Sequence, residues 1–164
     1  MKCANRCSAM YGGRIGKKLF MMLRYIRLGR TCCFSDTMRN EMTSTPEGRV
    51  SAALRQGVIN CGGEIRKVQW QGRVGAPDWL VMLLGSVVFV ETKAPGDVPR
   101  RSQIVEFRRI YLASGVPVLV IDRAEDAFDI IDALMLRAEG NDETYRRMIE
   151  TYSFERLLKE KQCG

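Results

Sequence analysis

Two apolar runs, WLVMLL (79–84) and VVFVETK (87–93), meet at Gly85-Ser86, and that junction constrains the chain more than any other feature. Runs of strand length separated by a two-residue break pair as an antiparallel hairpin. Glycine at the first turn position favours a type II′ turn, which sets Leu84 opposite Val87. In that register Val81 faces Val90, Leu80 faces Glu91, and Asp78 faces Lys93. Opposed residues share a face of the sheet, as do residues two apart on one strand. Asp78, Glu91 and Lys93 are therefore expected on one face at the open end of the hairpin, with Thr92 and Trp79 on the other. Directly opposed Cβ atoms lie roughly 5 Å apart, and the diagonal Asp78–Glu91 pair roughly 7–8 Å. Charge at the end of an apolar run is costly to bury unless it is paired or bound to metal. These three residues mark a candidate site.

Their chemistry follows from their kinds. Two carboxylates with waters suit Mg²⁺ or Mn²⁺, hard ions that also meet phosphate oxygens. Such an ion polarises a phosphoryl group and lowers the pKa of a bound water. A lysine ammonium beside them orients that water and offsets charge building on the phosphate. The bland alternative is a structural Asp78–Lys93 cross-strand pair with Glu91 in solvent.

The flanks supply the rest of a fold. Thr45-Pro46-Glu47 reads as an N-cap, a first-turn proline and an acid favourable to the helix dipole, opening a helix to about Gln56. EIRKVQW (64–70) alternates like a half-exposed strand. RSQIVEFRRIYLAS (101–114) has helical spacing, with Ile104, Phe107, Ile110 and Tyr111 on one face and Gly115 as its stop. VPVLVI (116–121) reads as a strand buried on both faces, and helices are expected at 124–137 and 142–161. The order αβββαβα describes an α/β domain, a mixed central sheet flanked by helices.

Charge and cysteines divide the chain. Residues 1–41 hold nine Lys/Arg against Asp36 and Glu41, which accounts for the whole net charge of +7, so residues 42–164 are neutral. The domain is expected at 42–164, preceded by a basic extension outside the fold, with Met42 as an alternative start. Within the domain, residues 49–109 carry ten basic groups, including Arg66, Lys67, Arg73, Arg100, Arg101, Arg108 and Arg109. A basic half around three charged site residues suits a phosphate backbone, although an ordinary solvated surface also explains it. Four of the six cysteines (Cys3, Cys7, Cys32, Cys33) fall in the basic segment, in a spacing that is not a common zinc pattern. With no disulfide framework for the domain, the cysteine usage fits a reducing compartment. Histidine is absent, which excludes His-based triads and HExxH metal sites.

G-A-P-D-W … V-E-T-K-A resembles the motif of the PD-(D/E)xK nuclease superfamily, with Asp78 as its acid and Glu91-Thr92-Lys93 as its E-x-K. More narrowly the chain resembles the VRR-NUC family. The shared features are a G-x-P-D loop (Gly75 to Asp78), an E-x-K-A-P-G strand end (Glu91 to Gly96) and Ser102-Gln103 near the start of the next helix. The likeness continues through SGVPVLVIDRAEDAFDII and covers residues 46–133. Trp79, where a smaller or basic residue is common, and the short GDVP loop depart from the pattern.

The resemblance implies a restriction-endonuclease-like fold and a Mg²⁺- or Mn²⁺-dependent DNA endonuclease. Asp78 and Glu91 would hold the metal and the carbonyl of Thr92 would add a ligand. Glu47 would complete the metal environment from the first helix, Lys93 would orient the attacking water, and Gln103 would position the lysine or the phosphate. It also implies a structure-selective enzyme of repair or recombination, bacterial or from a phage-infected cytoplasm. Such an enzyme would cut branched DNA such as four-way junctions, as a homodimer. The helix expected at 142–161, with Met148, Ile149, Tyr152, Leu157 and Leu158, would offer apolar surface for that contact, or would pack on its own sheet. A non-catalytic DNA-binding or assembly module that kept the fold is the alternative, and a sequence-specific restriction enzyme comes third.

Overall fold

The computed structural model describes residues 45–156. Expectations about the basic extension, Met42, the four early cysteines, Leu157 and Leu158 lie outside the described residues.

Thr45 caps the first helix as expected, its hydroxyl accepting from Gly48 N at 3.1 Å with Pro46 in the first turn. This helix, α1 (Pro46–Asn60), runs a full turn beyond Gln56 because Val50, Ala53, Leu54 and Val58 keep one face buried to its end. Then come β1 (Glu64–Lys67), β2 (Trp79–Leu83), β3 (Ser86–Thr92), α2 (Arg101–Ser114), β4 (Val118–Ile121), α3 (Ala124–Ala138) and α4 (Asp142–Tyr152). The strands form one mixed sheet in the order β1-β2-β3-β4. The first three are antiparallel neighbours, and β4 lies parallel to β3. The crossover between parallel strands is α2, which stops at Gly115 with its N–H on Tyr111 O. β1 ends at Lys67, three residues short of the expected Trp70.

The hairpin register differs from the expected one by two residues. Leu83 pairs with Ser86 and Trp79 with Val90, so the turn is Leu84-Gly85 and not Gly85-Ser86. Leu84 (φ 48°) and Gly85 (φ 80°) are both left-handed, as a type I′ turn requires. That turn matches strand twist, leaves Leu84 exposed and buries Ser86 in the sheet. A slip of two preserves every side-chain face. Continued by one step, the observed register sets Asp78 opposite Glu91, so the two acids are direct neighbours and not diagonal ones.

The two faces of the sheet have different cover. Phe89, Val118 and Val120 pack with Phe107 and Ile110 of α2 and with Phe154. Alternation places Glu91 and Lys93 on this same α2 face. Thr92 projects to the other face, where its hydroxyl meets Ser51 of α1.

The expected helix 142–161 is broken. α4 ends at Tyr152, and Ser153 forms an isolated antiparallel bridge with Leu119 of β4. That bridge turns Phe154 into the core, where it is 2% exposed and meets the Phe107 ring edge-on at 6.1 Å. Met148 and Tyr145 are buried in the same chain, so the main apolar side chains of α4 pack on their own domain.

Candidate active site

The site forms where β2 begins and β3 ends, and its centre is Glu91. The carboxylate is buried, 1% exposed, following the apolar run Val87–Val90 of β3. Its Oε1 is met by the Lys93 ammonium and by the Gln103 amide from the first turn of α2. Its Oε2 accepts from the backbone N–H of Asp78 at 3.2 Å. Burial pushes the Glu91 carboxyl above the ordinary carboxylate range and the Asp78 charge pushes it further, while Lys93 and Gln103 oppose the shift.

Asp78 sits one residue before β2, and its backbone carbonyl takes Val68 N at 2.8 Å. Strand alternation does not govern a side chain outside the strand. Its carboxylate turns back across the end of β3, and Oδ2 accepts from both the backbone N–H and the hydroxyl of Thr92, each at 3.0 Å. Face logic alone separates Thr92 from Asp78, and the structure joins them. With the Thr92 hydroxyl donating to Asp78, the Ser51 hydroxyl donates to Thr92 at 2.8 Å. Ser51 had no part in the sequence argument. The signal was its position four residues after Glu47, on one side of α1.

Gln103 is locked from both ends, its Nε2 on Glu91 and its Oε1 accepting from Arg100 N at 3.0 Å. The loop that carries Asp78 is pressed against the same turn. A Cβ on Gly75 would lie 3.0 Å from both Gln103 Cα and Ser102 O, and Gly75 has a φ of 99°. The glycine of G-A-P-D is thus required by close backbone approach as well as by conformation.

Glu47 is exposed in the first turn of α1. Ser51, one turn along the same helix, reaches the Thr92 hydroxyl that serves Asp78, while among the described residues no hydrogen bond or ion pair joins Glu47 itself to Asp78 or Glu91. Among the described residues no three His, Cys, Asp or Glu side chains group closely enough to hold a metal ion. The acids brought together are two, with Lys93 and Gln103 beside them.

A mixed sheet flanked by helices, whose hairpin carries an acid, an E-x-K and a polar helix start at one end, defines a restriction-endonuclease-like fold. Comparison with known proteins agrees. Over 89 residues the chain is 38% identical to "Putative nuclease p44" of Acyrthosiphon pisum secondary endosymbiont phage 1, spanning 54% of this chain and 94% of that protein. A solved VRR_NUC domain matches with a TM-score of 0.50 at 33% identity, covering 54% of this chain and 97% of that one. No family model matches the chain. The chain belongs to the VRR-NUC nuclease family.

Proposed function

We propose that the protein is a Mg²⁺- or Mn²⁺-dependent endonuclease that hydrolyses phosphodiester bonds of branched DNA. The observation that carries this reading is the Lys93 ammonium resting on buried Glu91, with the Asp78 backbone N–H on the same carboxylate. The donors fit a hard divalent cation: two carboxylates and the nearby Thr92 carbonyl are all oxygens. Glu91, with its pKa raised by burial and by Asp78, is a carboxylate that an added cation would stabilise. Asp78 and Glu91 would hold the ion, with Thr92 O and, from α1, Glu47 as further contributors. When bound, such an ion supplies a polarised phosphate and a more acidic water.

The chain's own residues do the rest. Lys93, 16% exposed and held at the strand end, orients the attacking water and offsets charge developing on the phosphate. Gln103 keeps the Glu91 carboxylate in one orientation, and Thr92 does the same for Asp78. The basic residues of α2 and of the loop before β2 give the strand a positive track. The name of the phage relative, a nuclease, supports this reading.

A single active site cuts one strand, so symmetric cleavage of a junction calls for two copies, and we propose a homodimer. The test is a panel of labelled linear, nicked, flapped and four-way-junction DNAs, incubated with Mg²⁺ or with EDTA. Mg²⁺-dependent cutting that favours the junction supports the proposal. Cutting in EDTA, or no cutting of any substrate, overturns it. Light scattering at assay concentration tests the dimer separately.

A further inference from the structure

One turn along α2 from Gln103, a second cluster of charge has no part in the chemistry just described. Glu106 is the lone acid among Arg101, Arg108 and Arg109 on this helix, and it is 2% exposed. Its Oε2 takes Arg109 Nη1 at 3.3 Å, and its Oε1 lies 3.5 Å from Arg73 Nη1 with no hydrogen-bond partner among the described residues. Both arginines are more than half exposed, so each keeps guanidinium N–H groups open to solvent. Glu106 thus ties the loop before β2 to α2 and holds two cations side by side.

These three residues form one wall of an open cleft of about 610 Å³, completed by Trp70, Ile110 and Leu112. Trp70 is 36% exposed and Leu112 is 73% exposed, which leaves a flat apolar surface beside the arginine pair. The segment from Arg73 through Gly75 to Asp78 runs along α2 from Glu106 to Gln103 and so joins cleft and active site. The helical turn between Gln103 and Glu106 spans about 5 Å.

We propose that this cleft binds one unstacked nucleotide of the DNA strand being cut, an assignment that rests on the nuclease reading above. Arg73 and Arg109 take its phosphate, and Trp70 with the apolar floor takes the face of its base. Glu106, buried beneath them, holds the two guanidinium groups together for that phosphate. A base is available to such a cleft only where pairing is interrupted, as at a flap or a branch point. The cleft therefore gives a physical basis for preferring branched over continuous duplex DNA. Two exposed guanidinium groups beside an exposed indole match the phosphate and the base of one nucleotide together.

The test is fluorescence anisotropy in Ca²⁺ with the full chain. It compares a duplex with the same duplex carrying a single-stranded flap. Trp70→Ala is expected to weaken flap binding about tenfold and to leave duplex binding within about twofold. Arg73→Ala/Arg109→Ala is expected to weaken both and to lower the slope of log K against log salt by about 1 to 2, whereas Arg147→Ala on α4 changes neither. Equal loss on flap and duplex for Trp70→Ala reduces the cleft to a backbone contact and overturns the proposal. So does unchanged flap binding, or dissociation of a dimer by Trp70→Ala. Failure of the unaltered protein to bind any DNA would instead remove the nuclease reading on which the proposal rests.

Discussion

Lys93, one residue past the end of β3, and Glu91 within it meet ammonium to carboxylate at Glu91 Oε1. The contact fixes Lys93 at the end of the hairpin and leaves it only 16% exposed. On the proposed function, a lysine held there acts on whatever the two carboxylates bind. Lys93→Ala is therefore expected to lower the single-turnover cleavage rate by about 10²–10³-fold. DNA affinity, measured by gel shift in Ca²⁺, should stay within about threefold. Cleavage at the unaltered rate would show that Lys93 only neutralises Glu91.

Gly75 separates conformational from positional effects. Gly75→Ala places a methyl group against Gln103 Cα and Ser102 O, backbone atoms that cannot swing aside, at an unfavourable φ. The loop must move, carrying Asp78 away from Thr92 and Arg73 away from Glu106. A loss of about 1–3 kcal/mol of stability is expected, together with a fall in cleavage. Gly72→Ala in the same loop has left-handed φ (77°) but open space around it, so it should cost stability alone. Melting curves and cleavage rates for the two variants check both statements.

Much of this was legible in local pattern, and the failures share a cause. The caps at Thr45 and Gly115, the helical face of Ile104, Phe107 and Ile110, and the buried strand at 118–121 depend on neighbours in sequence. The hairpin slipped by two because Gly85 serves equally as the first residue of one turn type or the second of another. What decides is that Ser86 is covered by the sheet and Leu84 is not, a tertiary fact. Since the slip was even, Asp78, Glu91 and Lys93 kept their common end. The break at Ser153 follows from its bridge to Leu119, which helical periodicity cannot report. Ser51 and the turn of Asp78 onto Thr92 were hidden for the same reason. Glu106 did leave a signal, as a lone acid in a basic helix.

Tyr152 carries a pH dependence of its own. Its hydroxyl donates to Asp129 Oδ2 at 2.9 Å and Asp126 Oδ1 at 3.3 Å. Burial, then the Asp129 and Asp126 carboxylates, push the phenol well above its ordinary value of 10.0. Between pH 10 and that raised value the unfolded chain releases a proton that the folded chain keeps. The stability contributed by Tyr152 is thus fully present below about pH 10 and is lost as pH rises above it. The unaltered protein should lose stability between pH 9 and 11.5 faster than Tyr152→Phe does. Parallel melting curves for the two proteins would remove the folded-state Tyr152–carboxylate contact from the account.

The turn itself offers the last test. Leu84 is 51% exposed at φ 48°, a conformation that costs an L-residue with a bulky side chain about 1 kcal/mol. Asn adopts that conformation readily and is favoured at the first position of a type I′ turn, and Leu84 contributes little burial to offset the strain. Leu84→Asn is expected to stabilise the protein by about 1 kcal/mol, a rise of about 2–4 °C in Tm. Cleavage should be unchanged, because the turn stands at the opposite end of the hairpin from Asp78, about 20 Å along the strand. Thermal melting and a cleavage assay on the full chain measure both. If the turn were instead Gly85-Ser86, Leu84 would pair with Val87 inside the sheet and Asn there would destabilise. The sign of the change in Tm therefore decides the register, and with it whether Asp78 stands opposite Glu91 or opposite Lys93.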